Sequence, residues 1–408
     1  MIRISSQQVF SGGINRLQDL NVNLNQTQEQ ISTGKRVNRP SDDPVAAARI
    51  LKLDQELQRI STYQRNTDLA ENRLEQEENA LARSVDVIQR IRELTVQAGS
   101  GALSPNDRQS ISAEVKERLG QLADITNTRD ASGEYIFSGF QGATPAFAQD
   151  NGRWVYQGDE GQRSLEIDDG VTVPISDHGK GIYSSVPAAV FAEGAGTNSA
   201  DARINGVEVT DRNAFDAVAP NDIQLTVNAT GGLDVEYVNN RTDPPTLVTP
   251  SPAAIPSYPE GEPFEVAGVQ VTITDAVDDD QFTIRTGEKQ SVFRTIENLI
   301  EGLEGIDKGS PAGRAAYDDL IASSLSNLDN AQESIILTQT ELGGRLNAVE
   351  STKSFLEDSL VYSEEIRSEL RDVDYAEAIS NLSFQSFVLQ AAQQSFAQVS
   401  QLSLFDRL

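Results

Sequence analysis

The sequence predicts a mainly α-helical protein with a β insert. Long helices from both ends of the chain form a coiled-coil-like bundle, and a small antiparallel β domain lies between them. Two observations favour this fold class. Proline and glycine are absent from 45–98 and from 345–408, whereas seven of the fifteen prolines fall in 244–263. Apolar residues at both ends also recur with the spacing of three and four residues that is typical of long helices packed side by side.

The two terminal segments, 1–40 and 372–408, are each predicted to hold a helix with one narrow apolar stripe. The N-terminal stripe consists of Phe10, Ile14, Leu17, Leu24 and Ile31, and the C-terminal stripe consists of Ile379, Leu382, Leu389, Phe396, Leu404 and Phe405. Because helix stability comes mainly from packing, so narrow a stripe stabilises an isolated helix little in water. We therefore expect the two terminal helices to pair with each other.

Three capping signals predict where the longer helices begin. Asp43-Pro44, Ser104-Pro105 and Ser310-Pro311 each place a capping oxygen just before a proline in the first helical turn. The long-helix bundle is accordingly assigned to 41–149 and 291–371. The apolar seam of its first helix is predicted to pass through Glu71 and Glu78.

The middle of the chain, 150–290, is predicted to be a β-rich insert. Short alternating or β-branched runs separated by Gly, Asn and Asp clusters indicate strands at 153–157, 164–167, 171–175, 202–210, 223–228, 233–238, 266–274 and 282–286. The proline-rich segment 243–263 is predicted to be a loop or an extended linker.

Charge excludes several classes of partner. The 62 acidic residues outnumber the 33 basic ones, which gives a formal net charge of −29. A surface this negative repels phosphate backbones and anionic lipids, so we expect neither nucleic acid nor membrane as a partner. No window approaches the ~18 apolar residues of a membrane span. The first residues also lack the apolar stretch of a secretory signal, so we expect any export to proceed without a cleaved signal peptide.

The residue types that carry most catalytic and metal chemistry are scarce. There is no cysteine, and the single histidine, His178, lies in a polar stretch typical of a solvated loop. These counts exclude thiolate metal sites, Cys–His catalysis and the common zinc sites. The aspartates at 278–280 lack the alternating ligands and central glycine of a calcium loop. We therefore predict no catalytic residues, no cofactor and no metal site, and a protein that is not an enzyme.

Motifs at both ends resemble the flagellin superfamily of bacterial flagellar proteins. They include Ser32-Thr-Gly-Lys-Arg-Val-Asn38, Pro40-Ser-Asp-Asp-Pro44, Gly133-Glu-Tyr-Ile-Phe-Ser-Gly139 and Ser403-Leu-Phe-Asp-Arg-Leu408. Flagellins proper usually read Ser-Ser-Gly-x-Arg-Ile-Asn and then Asp-Asp-Ala-Ala-Gly. The form found here is more similar to the hook-associated family at the hook–filament junction. The resemblance covers 1–147 and 291–408 and does not extend to the insert.

The resemblance implies an extracellular structural subunit that polymerises at the hook–filament junction. The first and last helices would form an inner layer, the long helices would surround it, and the insert would face outward. The implied partners are neighbouring copies, the adjacent hook-associated protein on the hook side, flagellin on the filament side, and an export chaperone that binds the C-terminal helix. Apolar residues of the two terminal stripes would be the subunit-assembly residues.

Two alternatives remain open for the function of the whole chain. It is either a junction subunit or a flagellin, the filament subunit itself. An exported enzyme on the same scaffold would need its catalytic groups in 150–290.

One further tract has two interpretations. Residues 89–97 resemble the flagellin tract that an innate immune receptor recognises, which implies contacts through Arg90, Leu94 and Glu114. The simpler interpretation is that this tract maintains the packing of the helical bundle.

Overall fold

The computed structural model describes residues 6–101, 103–195, 197–199, 201–239, 242, 245–248, 254–287 and 289–405, with helical side chains described from residue 11 to residue 398. Within these residues the helices are α1 (Ser6–Thr33), α2 (Pro44–Ala98), α3 (Pro105–Thr126), α4 (Arg212–Val218), α5 (Val292–Gly305), α6 (Pro311–Arg371) and α7 (Tyr375–Phe405). A π-helical turn spans Lys180–Ser184. The chain is therefore mainly helical with long helices at both ends, as the sequence predicts.

The predicted helix starts are confirmed, and each has a side-chain cap. The Asp43 carboxylate accepts a hydrogen bond from the amide of Ala46 at 2.9 Å, in the first turn of α2. Ser104 and Asp107 form a reciprocal capping box at the start of α3. The Ser310 hydroxyl accepts from the amide of Gly313 at 3.0 Å, in the first turn of α6. These caps satisfy amides that the helices cannot satisfy internally.

The strands of the described residues are β1 (Phe147–Asp150), β2 (Arg153–Tyr156), β3 (Ser164–Asp168), β4 (Val171–Pro174), β5 (Phe191–Gly194), β6 (Arg203–Val209), β7 (Asp222–Val227), β8 (Leu233–Asn239), β9 (Thr246–Val248), β10 (Phe264–Val266), β11 (Val269–Thr274) and β12 (Gln281–Arg285). They form the hairpins β1–β2 and β3–β4, a sheet of order β10-β11-β6, and a sheet of order β5-β12-β7-β8-β9. The strand pairs with a described register are antiparallel.

One strand prediction was wrong. The run 266–274 is not a single strand, because β10 and β11 form a hairpin in which Val266 pairs with Val269. Ala267 and Gly268, at φ of 51° and 78°, make its two-residue turn. Alanine gives no turn signal, so the run looks continuous in the sequence. Strands β1, β5 and β9 and helix α4 were also missed, and β9 lies inside the predicted proline-rich loop.

The chain divides into two compact units. Unit 1 consists of Met1–Asp68, Glu166–Val171 and Glu350–Leu408. Leu57 and Ile60 of α2 and Leu356 of α6 are buried in it. An ion pair of 2.9 Å between Lys353 and Asp68 joins the same two helices.

Unit 2 consists of Leu69–Leu165 and Thr172–Val349 and has two hydrophobic cores. The first lies among α2, α3, α5 and α6, and its largest fully buried side chains include Phe137, Phe147, Tyr183, Phe293 and Tyr317. The second lies between the three-stranded and the five-stranded sheets and includes Leu225, Val235, Val271 and Phe282. The two sheets therefore form a small β sandwich within unit 2.

A buried charged cluster in unit 2 corrects the predicted seam of α2. Glu78 is exposed, whereas Glu77 is only 2% exposed. A straight helix drifts by about 20° per heptad relative to a strict seven-residue repeat, so the buried face passes from one residue to its neighbour. Glu77 accepts a hydrogen bond from the amide of Asp177 at 3.2 Å, and the Asp177 carboxylate pairs with Arg345 of α6 at 2.7 Å.

Glu77 should make the folded chain less stable as the pH rises. Burial and the nearby Asp177 raise the pKa of its carboxyl group well above its usual range. This contribution to stability is complete below the ordinary pKa of glutamic acid and is lost as the pH rises through the raised value. Glu77→Gln keeps an acceptor for the Asp177 amide and removes the titration. Its denaturation midpoint should therefore fall less than that of the wild type between about pH 5 and about pH 8.

The matched control is Glu78→Gln, which changes the exposed neighbour on the same helix and should keep the wild-type pH dependence. Equal pH dependence in the wild type and in Glu77→Gln would contradict a raised pKa at this position.

Candidate assembly surface

The two terminal helices pack against each other within unit 1. A Cβ atom placed on Gly13 of α1 would lie 2.8 Å from Cδ2 of Phe396, so the absence of a side chain at Gly13 lets the α7 ring approach the α1 backbone. Further along the pair, the Thr27 hydroxyl donates a hydrogen bond to the side-chain oxygen of Gln385 at 3.0 Å. Thr27 is buried, so this polar contact lies inside the pair.

The connectors that lead into the terminal helices are also paired. The amide of Arg36 donates to the carbonyl of Arg371 at 2.7 Å, and the amide of Val373 donates to the carbonyl of Gly34 at 3.0 Å. The Arg36 guanidinium donates to the carbonyl of Leu370 at 2.9 Å, which satisfies a carbonyl at the end of α6. Gly34 has a φ of 71°, a left-handed conformation that glycine adopts at little cost.

Most of the predicted assembly residues face the pair itself. Leu17, Leu24 and Ile31 on α1 and Leu382, Leu389 and Phe396 on α7 are buried or partly buried. Their three-to-four spacing places them on the same faces as Gly13 and Thr27, or as Gln385. Ile14 and Ile379 are exposed. Phe10, Leu404 and Phe405 belong to α1 and α7, but their side chains lie outside the described residues.

Other apolar side chains of the terminal helices are available to a neighbour. Phe384 and Phe387 are 67% and 69% exposed, and Val22 is also exposed. With Ile14 and Ile379 they form what we call the terminal apolar surface. On α7 its three members lie within an arc of about 140°, at 100° per residue. The predicted stripes contain only Ile14 and Ile379 of this surface and miss Val22, Phe384 and Phe387, because the spacing mainly identifies the residues that the partner helix buries. Large aromatic side chains outside that stripe were the available signal.

Charge is distributed unevenly along the chain. Residues 378–405 contain no charged side chain, and residues 1–34 contain two basic and two acidic ones. The formal charge of −29 therefore comes entirely from residues between these segments. Many copies can bring these two segments together without the repulsion that the rest of the surface would produce.

The tract that resembles a receptor-binding segment lies on α2 in unit 2. Arg90 pairs with Glu114 of α3 at 2.8 Å and with Glu93 at 2.9 Å. The Leu94 side chain is 2% exposed and belongs to the helical core. A receptor could contact Leu94 only after the helices separate, so its burial favours the packing interpretation. The receptor role stays a prediction.

The described residues offer little material for other chemistry. None of their helices is long and apolar enough to cross a membrane. Within the same ranges, no three His, Cys, Asp or Glu side chains converge to hold a metal ion. His178 is partly buried, and its Nδ1 accepts a hydrogen bond from the amide of Gly181 at 3.1 Å.

Both ends of the chain match sequence families. The bacterial flagellin N-terminal helical region matches residues 4–142, and the bacterial flagellin C-terminal helical region matches residues 325–408. Flagellar hook-associated protein 3 of Escherichia coli (strain K12) is 24% identical over 404 residues, which are 99% of each chain. Its namesake in Salmonella typhimurium is 32% identical over 198 residues, 48% of this chain and 62% of that protein.

Solved structures agree with these relatives. The crystal structure of flagellar hook-associated protein 3 from Legionella pneumophila covers 79% of this chain and 98% of that one, with a TM-score of 0.60 and 27% identity. Flagellins are more distant. Polar flagellin C of Vibrio parahaemolyticus is 22% identical over 93% of this chain and 91% of that protein.

Two substitutions on α7 should separate pairing within a chain from the exposed surface. Leu389→Ala removes a buried side chain and should destabilise the α1–α7 pair by about 2 kcal/mol or more. Amide exchange in residues 11–33 should then become faster. Phe387→Ala is the matched control, because its exposed side chain makes no such contribution and exchange should stay at the wild-type rate. Equal acceleration in both variants would contradict the assignment of these faces.

Proposed function

We propose a structural function for this chain, which belongs to the hook-associated proteins of the bacterial flagellin superfamily. It is an adaptor subunit that polymerises at the junction between hook and filament. Its terminal helices, each with a formal net charge of only −1, carry the assembly contacts. The terminal apolar surface is the observation that carries this proposal, because exposed phenylalanines in the uncharged segment 378–405 of a protein with a net charge of −29 require a partner.

The layered arrangement is part of the same proposal. Segments 1–40 and 372–408 form the inner layer, 41–149 and 291–371 surround it, and 150–290 faces outward. The pairing of α1 with α7 supports it, because both ends of the chain then present one joint surface to neighbouring copies. Repeated around an axis, contacts between unlike faces generate a ring or a helical tube rather than a closed dimer.

The proposed partners follow from the position of the junction. They are neighbouring copies, the adjacent hook-associated protein on the hook side, and flagellin on the filament side. An adaptor between two assemblies needs contacts with each. The helices α1 and α7, which carry the terminal apolar surface, are joined along the chain to the long helices α2 and α6. We propose further that an export chaperone binds the C-terminal helix and covers Phe384 and Phe387 before assembly.

The proposed location is the outside of the cell, in the flagellum, after export through the hollow structure without a cleaved signal peptide. We propose no enzymatic activity. An exported enzyme would need a catalytic constellation in 150–290, where the single histidine of the chain, His178, accepts a hydrogen bond from the backbone amide of Gly181.

Deleting residues 379–408 should abolish the joining of hook to filament, because α1 loses its partner and most of the terminal apolar surface is lost. Circular dichroism of the purified variant should still report a folded protein, since both cores of unit 2 are intact. Motility and electron microscopy of the cells report the loss. Normal motility in the deletion strain would overturn the proposal.

A finer variant tests the surface itself. Phe384→Gln with Phe387→Gln keeps α7 helical and leaves its charge unchanged while removing the two aromatic rings. It should lower the number of filament-bearing cells without changing the thermal unfolding of the subunit. An unchanged number of filaments would show that assembly does not depend on these rings.

Gene disruption separates the junction subunit from the alternative, a flagellin. Loss of an adaptor should release intact filament protein into the medium, because the filament subunit is still made and exported. Loss of the filament's own main protein band in the disrupted strain would instead identify the chain as flagellin.

A further inference from the structure

A groove in unit 2 combines aromatic and basic side chains. It is open to solvent, has a volume of about 1270 Å³, and is lined by β2, by the segment that follows β12 and by the first turns of α5. We call it the basic–aromatic groove, after four of its lining residues, Trp154, Tyr156, Lys289 and Arg294. Trp154 is the single tryptophan of the chain.

Two of the groove's cations lie outside its ion pairs. Lys289 and Arg294 are exposed, and within the described ranges neither forms an ion pair. The other lining cations are engaged, because Lys180 pairs with Glu160 and Arg153 lies 3.5 Å from Glu301.

The groove is lined by four carboxylates and four cations, and most of the carboxylates are engaged with other groups. Asp159 accepts hydrogen bonds from the amides of Phe140 and Gly161, and Glu160 is occupied by Lys180. Glu297 is buried and accepts from the amide of Trp154 at 2.8 Å, and its burial raises the pKa of the carboxyl group although Arg294 opposes the shift. Asp150, at the end of β1, is the remaining lining carboxylate.

The groove is therefore suited to an acidic segment with an apolar tip. Two exposed cations attract carboxylates, and the aromatic rings offer an apolar surface to a side chain between them. In a chain with 62 acidic and 33 basic residues, any second copy brings acidic segments to Lys289 and Arg294.

A segment of this chemistry connects β11 to β12. Val277 is 55% exposed at its tip, and the next two residues are the exposed Asp278 and Asp279. We call 275–280 the acidic turn. The buried Asp280 accepts hydrogen bonds from the amides of Val277 and Ser199 at 2.8 and 2.7 Å. The tip is thus held in one conformation before it meets a partner, which lowers the entropy cost of binding.

The acidic turn and the basic–aromatic groove lie at opposite ends of one strand. The turn precedes β12 and the groove follows it, and the extended chain from 281 to 287 spans about 20 Å at 3.3 Å per residue. One copy therefore does not fill its own groove with its own turn. A contact between the two joins unlike faces, so it can repeat from copy to copy around a ring.

We propose that the basic–aromatic groove of one copy binds the acidic turn of a neighbouring copy. Lys289 and Arg294 contact the carboxylates of Asp278 and Asp279, and Val277 packs against the aromatic side chains. The contact rests on the proposed function, since polymerisation places the copies side by side. It adds an interaction between β inserts to the contacts made by the terminal helices.

Disulfide cross-linking in assembled flagella tests the contact directly, because the chain has no cysteine of its own. The full-length variant with Val277→Cys in the turn and Val155→Cys in the groove should give covalently linked copies after mild oxidation. A disulfide requires Cα atoms within about 7 Å, so covalently linked copies report that the turn of one copy reaches the groove of another. The matched control pairs Val277→Cys with Val96→Cys, an exposed valine outside the groove.

Charge reversal in the same cysteine background tests the chemistry. Lys289→Glu with Arg294→Glu should lower the yield of linked copies at least about tenfold, because like charges then face each other. Asp278→Lys with Asp279→Asn should do the same, and asparagine tolerates the left-handed backbone of Asp279, at φ of 70°. Combining all four substitutions should restore the yield. Thermal unfolding of each purified variant shows that it is folded.

The outcomes separate this contact from the proposed function. Normal flagella without linked copies, or linking that charge reversal leaves unchanged, would overturn the contact and leave the adaptor function standing. Absence of the protein from hook–filament junctions, with linking lost for that reason, would overturn the adaptor function itself.

Discussion

The pairing of the first helix with the last is the interaction on which the rest of the chain's organisation depends. Neither stripe is wide enough to stabilise a helix in water by itself, and each becomes buried only against the other. Gly13 lets Phe396 approach, Thr27 and Gln385 bond inside the pair, and Arg36 ties the two connectors together. Two segments separated by more than three hundred residues thus become one surface.

The distribution of charge makes this surface suitable for packing between copies. Residues 1–34 and 378–405 have no net charge, and the rest of the chain carries the net charge of −29, so close packing of copies is least opposed in these two ranges. Elsewhere in the chain, individual acidic groups are offset by nearby basic groups. In unit 2, Glu77 is buried with Asp177 and Arg345, whereas Lys289 and Arg294 are exposed in the basic–aromatic groove and remain available to acidic groups. The distribution of charge therefore distinguishes two kinds of surface. Surfaces without net charge can pack closely between copies, whereas acidic surfaces repel each other unless a basic group lies opposite.

Local signals explain why much of the helical fold was predictable from the sequence. A capping oxygen before a proline marks a helix start through contacts within four residues, and all three such predictions hold. Sequence predictions were wrong where a contact with residues distant in the sequence determines the structure, or where the turn contains a residue that is unusual in turns. Ala267 hides the hairpin between β10 and β11, and Glu77 is buried where the seven-residue repeat points to Glu78. In the candidate site, the heptad rows identified residues that pair within one chain, whereas Val22, Phe384 and Phe387 stood outside the pattern.

By itself the sequence determined the long terminal helices, the position of the β insert, the neutrality of both ends and the absence of cysteine chemistry. These follow from composition and short-range periodicity, which each residue expresses whatever lies beside it in space. Only the tertiary structure decided which apolar residues are buried in the α1–α7 pair and which remain exposed. It also decided that Trp154, Lys289 and Arg294 line one groove. The physical reason is that the burial of a side chain depends on the surface that packs against it, and a local sequence pattern describes only one of the two surfaces.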